Sequence, residues 1–201
     1  MDIPENYCIL ANLTSIFTKV VITISGDIGS GKSTTGKLIC KKLEYKYLST
    51  GAIQRQIAED MGLTTLELNH LTDSRKDIDD KIDSYTKALN DTEEDYVVDS
   101  RLAWHFIPSS YKVYLLCDES VAAQRISKDD DRASDESNRD VDHLISKIKE
   151  RRKSEQERFK RIYDIDFGDL SNYDQLIDTA YFTPDEVVSL ILDGIDHYYP
   201  R

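Results

Sequence analysis

Cysteine is scarce in this 201-residue chain: Cys8, Cys40 and Cys117 are odd in number and widely scattered. That excludes a disulfide framework, and no Cys-x-x-Cys pair offers the spacing of a zinc ribbon. The four histidines, His70, His105, His143 and His197, also lack metal-ligand spacing. Positive charge is in the minority, 26 Lys and Arg against 38 Asp and Glu, for a net charge of −12. An overall basic field for coating nucleic acid is therefore absent, although a local basic patch remains open. Long apolar runs are missing too. Residues 9–25 (ILANLTSIFTKVVITIS) are broken by Asn12, Thr14 and Lys19, and the preceding MDIPENY carries negative rather than positive charge. Neither a signal peptide nor a membrane span is expected, so the cytoplasm is the default location. What is present is 39% apolar residues spread along the chain, enough for a core and unlike a disordered acidic tail.

The length suits one domain, with residues 1–18 read as an extension and residues 19–201 as the folded unit. Short β-branched or aromatic runs alternate with helical segments. Val20–Ser25 predicts a first strand, Tyr45–Ser49 a second, Asp95–Asp99 a third, Lys112–Cys117 a fourth and Asp174–Asp178 a fifth. Helices are expected over about residues 32–43, 52–61 and 77–89. A last helix opens at Thr183-Pro184-Asp185-Glu186, where Thr183 caps, Pro184 suits the first helical position and Glu186 completes a capping box. This alternation predicts an α/β fold around a parallel sheet. No repeat or low-complexity tract interrupts it.

Residues 129–142 are rich in Asp, Ser and Asn and read as a mobile loop. Residues 147–161 (KIKERRKSEQERFKR) then hold eight basic and three acidic side chains, a local excess of five positive charges. Val141, Leu144, Ile145 and Ile148 follow i, i+3, i+4, i+7 spacing, which predicts a helix with a buried face. On an unbroken helix Lys147, Arg151, Arg158 and Arg161 share another stripe. The plain alternative is a solvated charged face laced with Glu–Arg pairs.

Gly26-Asp27-Ile28-Gly29-Ser30-Gly31-Lys32-Ser33 matches G-x-x-x-x-G-K-[ST]. The match follows an apolar strand and opens a helix, which is the context a phosphate-binding loop requires. There the backbone N–H groups converge on phosphate oxygens at a helix N-terminus. Lys32 is expected on the β- and γ-phosphates of ATP and the Ser33 hydroxyl on Mg²⁺, with residues 26–34 through Thr34 forming the nucleotide cradle. Asp27 is unusual there, because a carboxylate beside phosphates must point away. Past the second strand stands Ser49-Thr50-Gly51-Ala52-Ile53-Gln54-Arg55, and past the third Asp99-Ser100-Arg101. Each places an Arg just beyond a strand's carboxyl end, the rim on which open α/β sheets bind ligands. Two guanidiniums facing a phosphate loop suit a second phosphate-bearing ligand, and Asp99 is placed to orient Mg²⁺. Surface arginines and a capping aspartate are the alternatives. Trp104 and His105 are expected to pack beneath the acceptor side.

Taken in order, the GSGKST loop, STGAIQR, DSR and the late RRKSEQERF helix resemble the nucleoside monophosphate kinases. IDDKID (Ile78–Asp83), RRKSEQERFKRIYDID (Arg151–Asp166) and NYDQLIDT (Asn172–Thr179) are most similar to the archaeal-type branch of the cytidylate kinases. The resemblance spans about residues 20–195. It implies a P-loop kinase fold, a five-stranded parallel sheet flanked by helices, with a monophosphate-binding region and a helical lid over about residues 125–161. It also implies ATP- and Mg²⁺-dependent phosphorylation of CMP or dCMP. By the same resemblance Gly26, Gly31, Lys32 and Ser33 hold ATP and Arg55 and Arg101 grip the acceptor phosphate, with Ser49, Gly51 and Asp99 also expected to bind the substrate. Arg151 and Arg158 close over the transferring group, with Arg125 and Arg132 flanking the lid loop. Asp79 and Asp83 fall where the pyrimidine-reading region begins. Asp27 replaces a residue that is often uncharged in the family, and Arg152 stands where the lid helix usually has an acid. A monophosphate acceptor brings its own anionic nucleophile, so positioning and charge neutralisation suffice. Small-molecule nucleotides are the expected partners and a monomer the expected state.

Two other readings stay open. A kinase of a hydroxyl acceptor should carry a carboxylate base at the end of its second strand, where Tyr47-Leu48-Ser49-Thr50 stands instead. A non-catalytic nucleotide switch of the GTPase type should bring an NKxD guanine reader, which this sequence lacks.

Overall fold

The computed structural model describes residues 19–72, 75–128 and 140–198. The expected N-terminal extension, most of the expected acidic loop, and Arg132 lie outside the described residues. Five parallel strands form one sheet in the order β2-β3-β1-β4-β5: β1 (Val21–Gly26), β2 (Lys46–Ser49), β3 (Tyr96–Asp99), β4 (Tyr111–Leu116) and β5 (Gln175–Asp178). Each lies within one residue of its expected position. Central β1 runs beside β3 on one side and β4 on the other.

Period-two alternation assigns the sheet's two faces. Ile22 and Ile24 of β1, Val97 of β3 and Val113 and Leu115 of β4 share one core cluster. Helices α1 (Lys32–Leu43) and α8 (Pro184–Tyr198) cover that face through Ile39, Val187, Val188 and Ile191. The intervening Tyr114 turns to the opposite face, among Trp104, Phe159, Phe167 and Tyr173. The capping box of α8 forms as expected: Thr183 donates its backbone N–H to Glu186 Oε2 at 2.8 Å, and Glu186 N–H returns to Thr183 Oγ1 at 3.4 Å.

Between β2 and β3 the chain builds α2 (Thr50–Asp60), α3 (Thr65–Thr72) and α4 (Lys76–Lys87), the last continued by a 3₁₀ turn over Ala88–Asp91. Ala58, Leu68 and Ile78 form a small core of their own there. A short α5 (Ala103–Phe106) follows β3, and α6 (Glu119–Ser127) follows β4. The basic segment belongs to one long helix, α7 (Val141–Tyr163), seated on α6 through Leu144 and Ile148. The sequence pattern did not predict α3, α5 or α6. Trp104 packs as expected, whereas His105 is exposed, its ring edge-on to Trp104 and Phe106. No described helix is long and apolar enough to cross a membrane.

Candidate active site

Parallel strands aim their carboxyl ends at one rim, and the chain runs from central β1 to β2 and β3 on one side and then crosses to β4 and β5 on the other, which opens a crevice there. The glycine loop, the ends of β2 and β3, α2, α4 and the inner face of α7 line a single open cleft at this rim. Lys32, Ser33, Ser49, Gly51, Arg55, Asp79, Asp83, Asp99, Arg101, Arg151 and Arg158 all reach it, as does the loop backbone at Ile28, Gly29 and Gly31. Ser30 and Thr34 face a second hollow between α1 and the start of α8, together with Arg125 and Thr179.

On the floor, Ser33 Oγ donates to Asp99 Oδ2 at 2.6 Å, and Tyr47 OH donates to the same oxygen at 3.1 Å. Asp99 thus ends β3 beside the start of α1, where register places it next to Ile24 of β1. Lys32 donates to the carbonyls of Gly26 (3.1 Å) and Asp27 (2.6 Å) in its own loop. Burial, reinforced by Arg101, pushes its ammonium down to about 7, while Asp99 and Glu155 oppose that shift. An anion at this position would raise it again.

Arg101 leaves the end of β3 and donates through Nε to Glu155 Oε2 at 2.7 Å and through Nη1 to the Gly26 carbonyl. Arg151, on the same face of α7 as Glu155 one turn on, donates through Nε to the other carboxylate oxygen at 3.0 Å. Burial alone would raise the Glu155 carboxyl, but Arg101 and Arg151 outweigh it and hold the group at about 2. Arg158 turns elsewhere. It is 6% exposed and donates to Thr72 Oγ1 and, at 3.5 Å, to Asn69 Oδ1, with Asp79 at 3.9 Å. Asp83 is buried beside it, accepting from Tyr163 OH at 2.8 Å, and burial raises its carboxyl. Of the four basic residues expected on one stripe of the late helix, only Arg151 and Arg158 enter the cleft. Lys147 pairs with Glu150 at 3.7 Å on the surface, and Arg161 is exposed.

Arg55 lies exposed on α2, at the cleft's edge above Gly51. Ser49 is buried and caps α2 by accepting from Ala52 N–H at 3.2 Å. Asp27 does point away from the cleft: its carboxylate accepts from Tyr114 OH (2.9 Å), Cys117 N–H (3.0 Å) and Arg152 Nη1 (2.6 Å). Asp27 and Arg152, the two positions where the resemblance marks a departure, are therefore each other's ion-pair partners. Arg125 ties α6 to the loop and to β5, donating to the Gly29 carbonyl (3.3 Å) and the Thr179 carbonyl (2.7 Å).

Sequence reasoning missed Glu155, Tyr47 and Tyr163. For Glu155 the i, i+4 spacing from Arg151 was visible; its link to Arg101 was not. Ser33 and Asp99 offer the hard oxygen donors that suit Mg²⁺, an ion held through one or two protein ligands plus substrate phosphates. Among the described residues there is no group of three or more His, Cys, Asp or Glu side chains able to cage a metal.

Comparison with known proteins agrees with this geometry. Residues 21–181 match the model of the cytidylate kinase-like family. The cytidylate kinase of Natronomonas pharaonis is 35% identical over 183 residues, 90% of this chain and 92% of that protein. That of Sulfurisphaera tokodaii is 37% identical over 174 residues, 86% of this chain and 93% of that protein. Among solved structures, the shikimate kinase of Acinetobacter baumannii superposes with a TM-score of 0.59 at 14% identity, covering 92% of this chain and 97% of that one. That likeness shows the P-loop kinase fold.

Proposed function

The chain belongs to the cytidylate kinase-like family, and we propose that it transfers the γ-phosphoryl group of ATP to a pyrimidine nucleoside monophosphate, CMP or dCMP, giving CDP or dCDP. One observation carries the reading. Lys32, Arg101 and Arg151 converge on a cleft whose β2 rim ends in Ser49 rather than a carboxylate. Such a site neutralises phosphate charge and offers no base at the place where a hydroxyl acceptor would need one.

In this reading the acceptor's own phosphate oxygen is the nucleophile, and the protein's task is to align two anions in a site closed to water. Lys32 leaves its loop carbonyls for the β- and γ-phosphates. Arg55 and Arg101 grip the acceptor phosphate from the β2 and β3 rims, and Arg151 reaches the transferring group from α7. Arg158, expected with Arg151 on the transferring group, is held among α3 and α4 and in this reading serves the acceptor side instead. Asp79 and Asp83 place buried carboxylates there, and a carboxylate accepts from the N4 amino group that cytosine has and uracil lacks. Ser33 and Asp99 would hold Mg²⁺, which supplies charge neutralisation on the phosphates when bound. A cytoplasmic location suits a nucleotide kinase.

The test is an ADP-release assay with ATP and Mg²⁺ against all ribo- and deoxyribonucleoside monophosphates. CMP and dCMP should turn over with the highest kcat/KM. Turnover confined to an unphosphorylated nucleoside or sugar would overturn the reading.

A further inference from the structure

Glu155 is a buried carboxylate lining the cleft, and the reaction as described gives it no task. Its two oxygens are divided: Oε2 takes Arg101 Nε at 2.7 Å and Oε1 takes Arg151 Nε at 3.0 Å. One guanidinium comes from the end of β3, the other from the lid helix α7. Because each arginine binds Glu155 through Nε, its terminal nitrogens remain for other acceptors. Arg101 Nη1 lies on the Gly26 carbonyl, and its other terminal nitrogen and both of Arg151's are left for a ligand in the cleft that both residues line. Without an anion between them, two guanidiniums and Lys32 would repel one another. Long, rotamer-rich side chains would then have to be ordered each time substrate binds.

We infer that Glu155 is a positioning residue: it fixes the separation and facing of Arg101 and Arg151, so that the acceptor-side and donor-side guanidiniums stand ready for the phosphoryl group between them. It touches neither nucleotide and acts through the two arginines. Preorganisation of this kind acts chiefly in the transition state, where charge must be met without reorganisation. The inference rests on the kinase reading for its substrate, but the geometry itself applies to any polyphosphate bound there.

The experiment uses Glu155→Asp, which keeps the charge but is one methylene too short to span both Nε groups, Glu155→Gln, which keeps the shape without the charge, and Arg151→Lys, which lacks the Nε edge. Glu155→Asp should lower kcat tenfold or more with KM for CMP and ATP within about threefold of wild type, and Glu155→Gln should lower it further. If Glu155 works through Arg151, Glu155→Asp combined with Arg151→Lys loses no more than about threefold beyond the worse single variant. Additive losses in that cycle would overturn the inference, as would a Glu155→Asp variant with wild-type kcat. So would a fall in kcat that only tracks a lowered Tm. A wild-type protein that phosphorylates no monophosphate would sink the kinase reading instead. The placement is then read with ADP and aluminium fluoride, a mimic of the transferring phosphoryl group: its calorimetric Kd should weaken tenfold or more in Glu155→Asp, and an unchanged Kd refutes the placement.

Discussion

Gly26 and Gly31 both hold positive φ, 144° and 85°, yet they answer to different constraints. A Cβ at Gly26 would stand 2.3 Å from the Leu115 carbonyl oxygen, a backbone atom of the neighbouring strand, so β1 and β4 would have to separate. A Cβ at Gly31 meets nothing within 4 Å, and only the left-handed backbone resists it. Gly31→Ala should therefore cost about 1–2 kcal/mol, whereas Gly26→Ala should cost clearly more, both read from urea denaturation midpoints. Arg101 yields a kinetic prediction at the same scale. In the proposed reading it grips the acceptor phosphate, so Arg101→Ala should raise the acceptor KM or lower kcat, at least about tenfold in kcat/KM, while the KM for ATP stays near wild type. An equal loss of ATP binding would place the arginine on the other nucleotide.

At the scale of elements, α7 is fastened to the strand rim by two contacts on neighbouring turns. Glu155 meets Arg101, just past β3, inside the cleft, and Arg152 meets Asp27 of the phosphate loop outside it. Arg152 is 42% exposed, so its ion pair should contribute about 1 kcal/mol or less. Asp27 is 10% exposed and also accepts from Tyr114 OH and Cys117 N–H, so its removal strands donors that have little access to water. Asp27→Ala should therefore destabilise by about 2–3 kcal/mol and Arg152→Ala by about 1 or less, with a double-mutant cycle in chemical denaturation isolating the pair. A neutral residue at position 27 would leave Arg152 without this carboxylate, so the two residues act as one unit. The helices differ in how far they could be foreseen. The apolar spacing of Val141 to Ile148 and the box at Thr183 mark their helices locally, while α3 and α6 are short and carry few apolar residues at regular spacing.

For the molecule as a whole, acid is the condition to which stability should be most sensitive. Glu155 is held at about 2 against an ordinary 4.5, and the capping carboxylates Glu67, Asp118, Asp169 and Glu186 are lowered by the N–H and O–H groups they accept from. In each case the unfolded chain binds protons at higher pH than the folded one does. Their stabilisation is complete above the unfolded values and is lost as pH falls through the folded ones. Buried Asp83 is raised and acts in the opposite sense. Thermal melts should accordingly show Tm falling steeply below about pH 4.5, and the advantage of wild type over Glu155→Gln should shrink between about pH 4.5 and 2. A Tm unchanged down to pH 2.5 would contradict this. Against the net charge of −12, the cleft gathers five cations, Lys32, Arg55, Arg101, Arg151 and Arg158, with four carboxylates, Asp79, Asp83, Asp99 and Glu155.

Local physics is written in local spacing, and this chain shows how far that extends. Alternating β-branched residues, a glycine-rich turn after an apolar strand and a cap before an amphipathic run each form within a few residues. The five strands, the phosphate loop and the rim positions of Asp99 and Arg101 followed from sequence alone. Partnership across the fold did not. Asp27 meets Arg152 across 125 residues, Arg101 meets Glu155 across 54, and Arg158 turns to Thr72 across 86. Those distances along the chain are closed only when parallel crossovers stack α7 over the carboxyl ends of the strands. Burial then decides the chemistry, because a carboxylate shielded from water must find cations, and the cations it finds are those the sheet has brought to its edge.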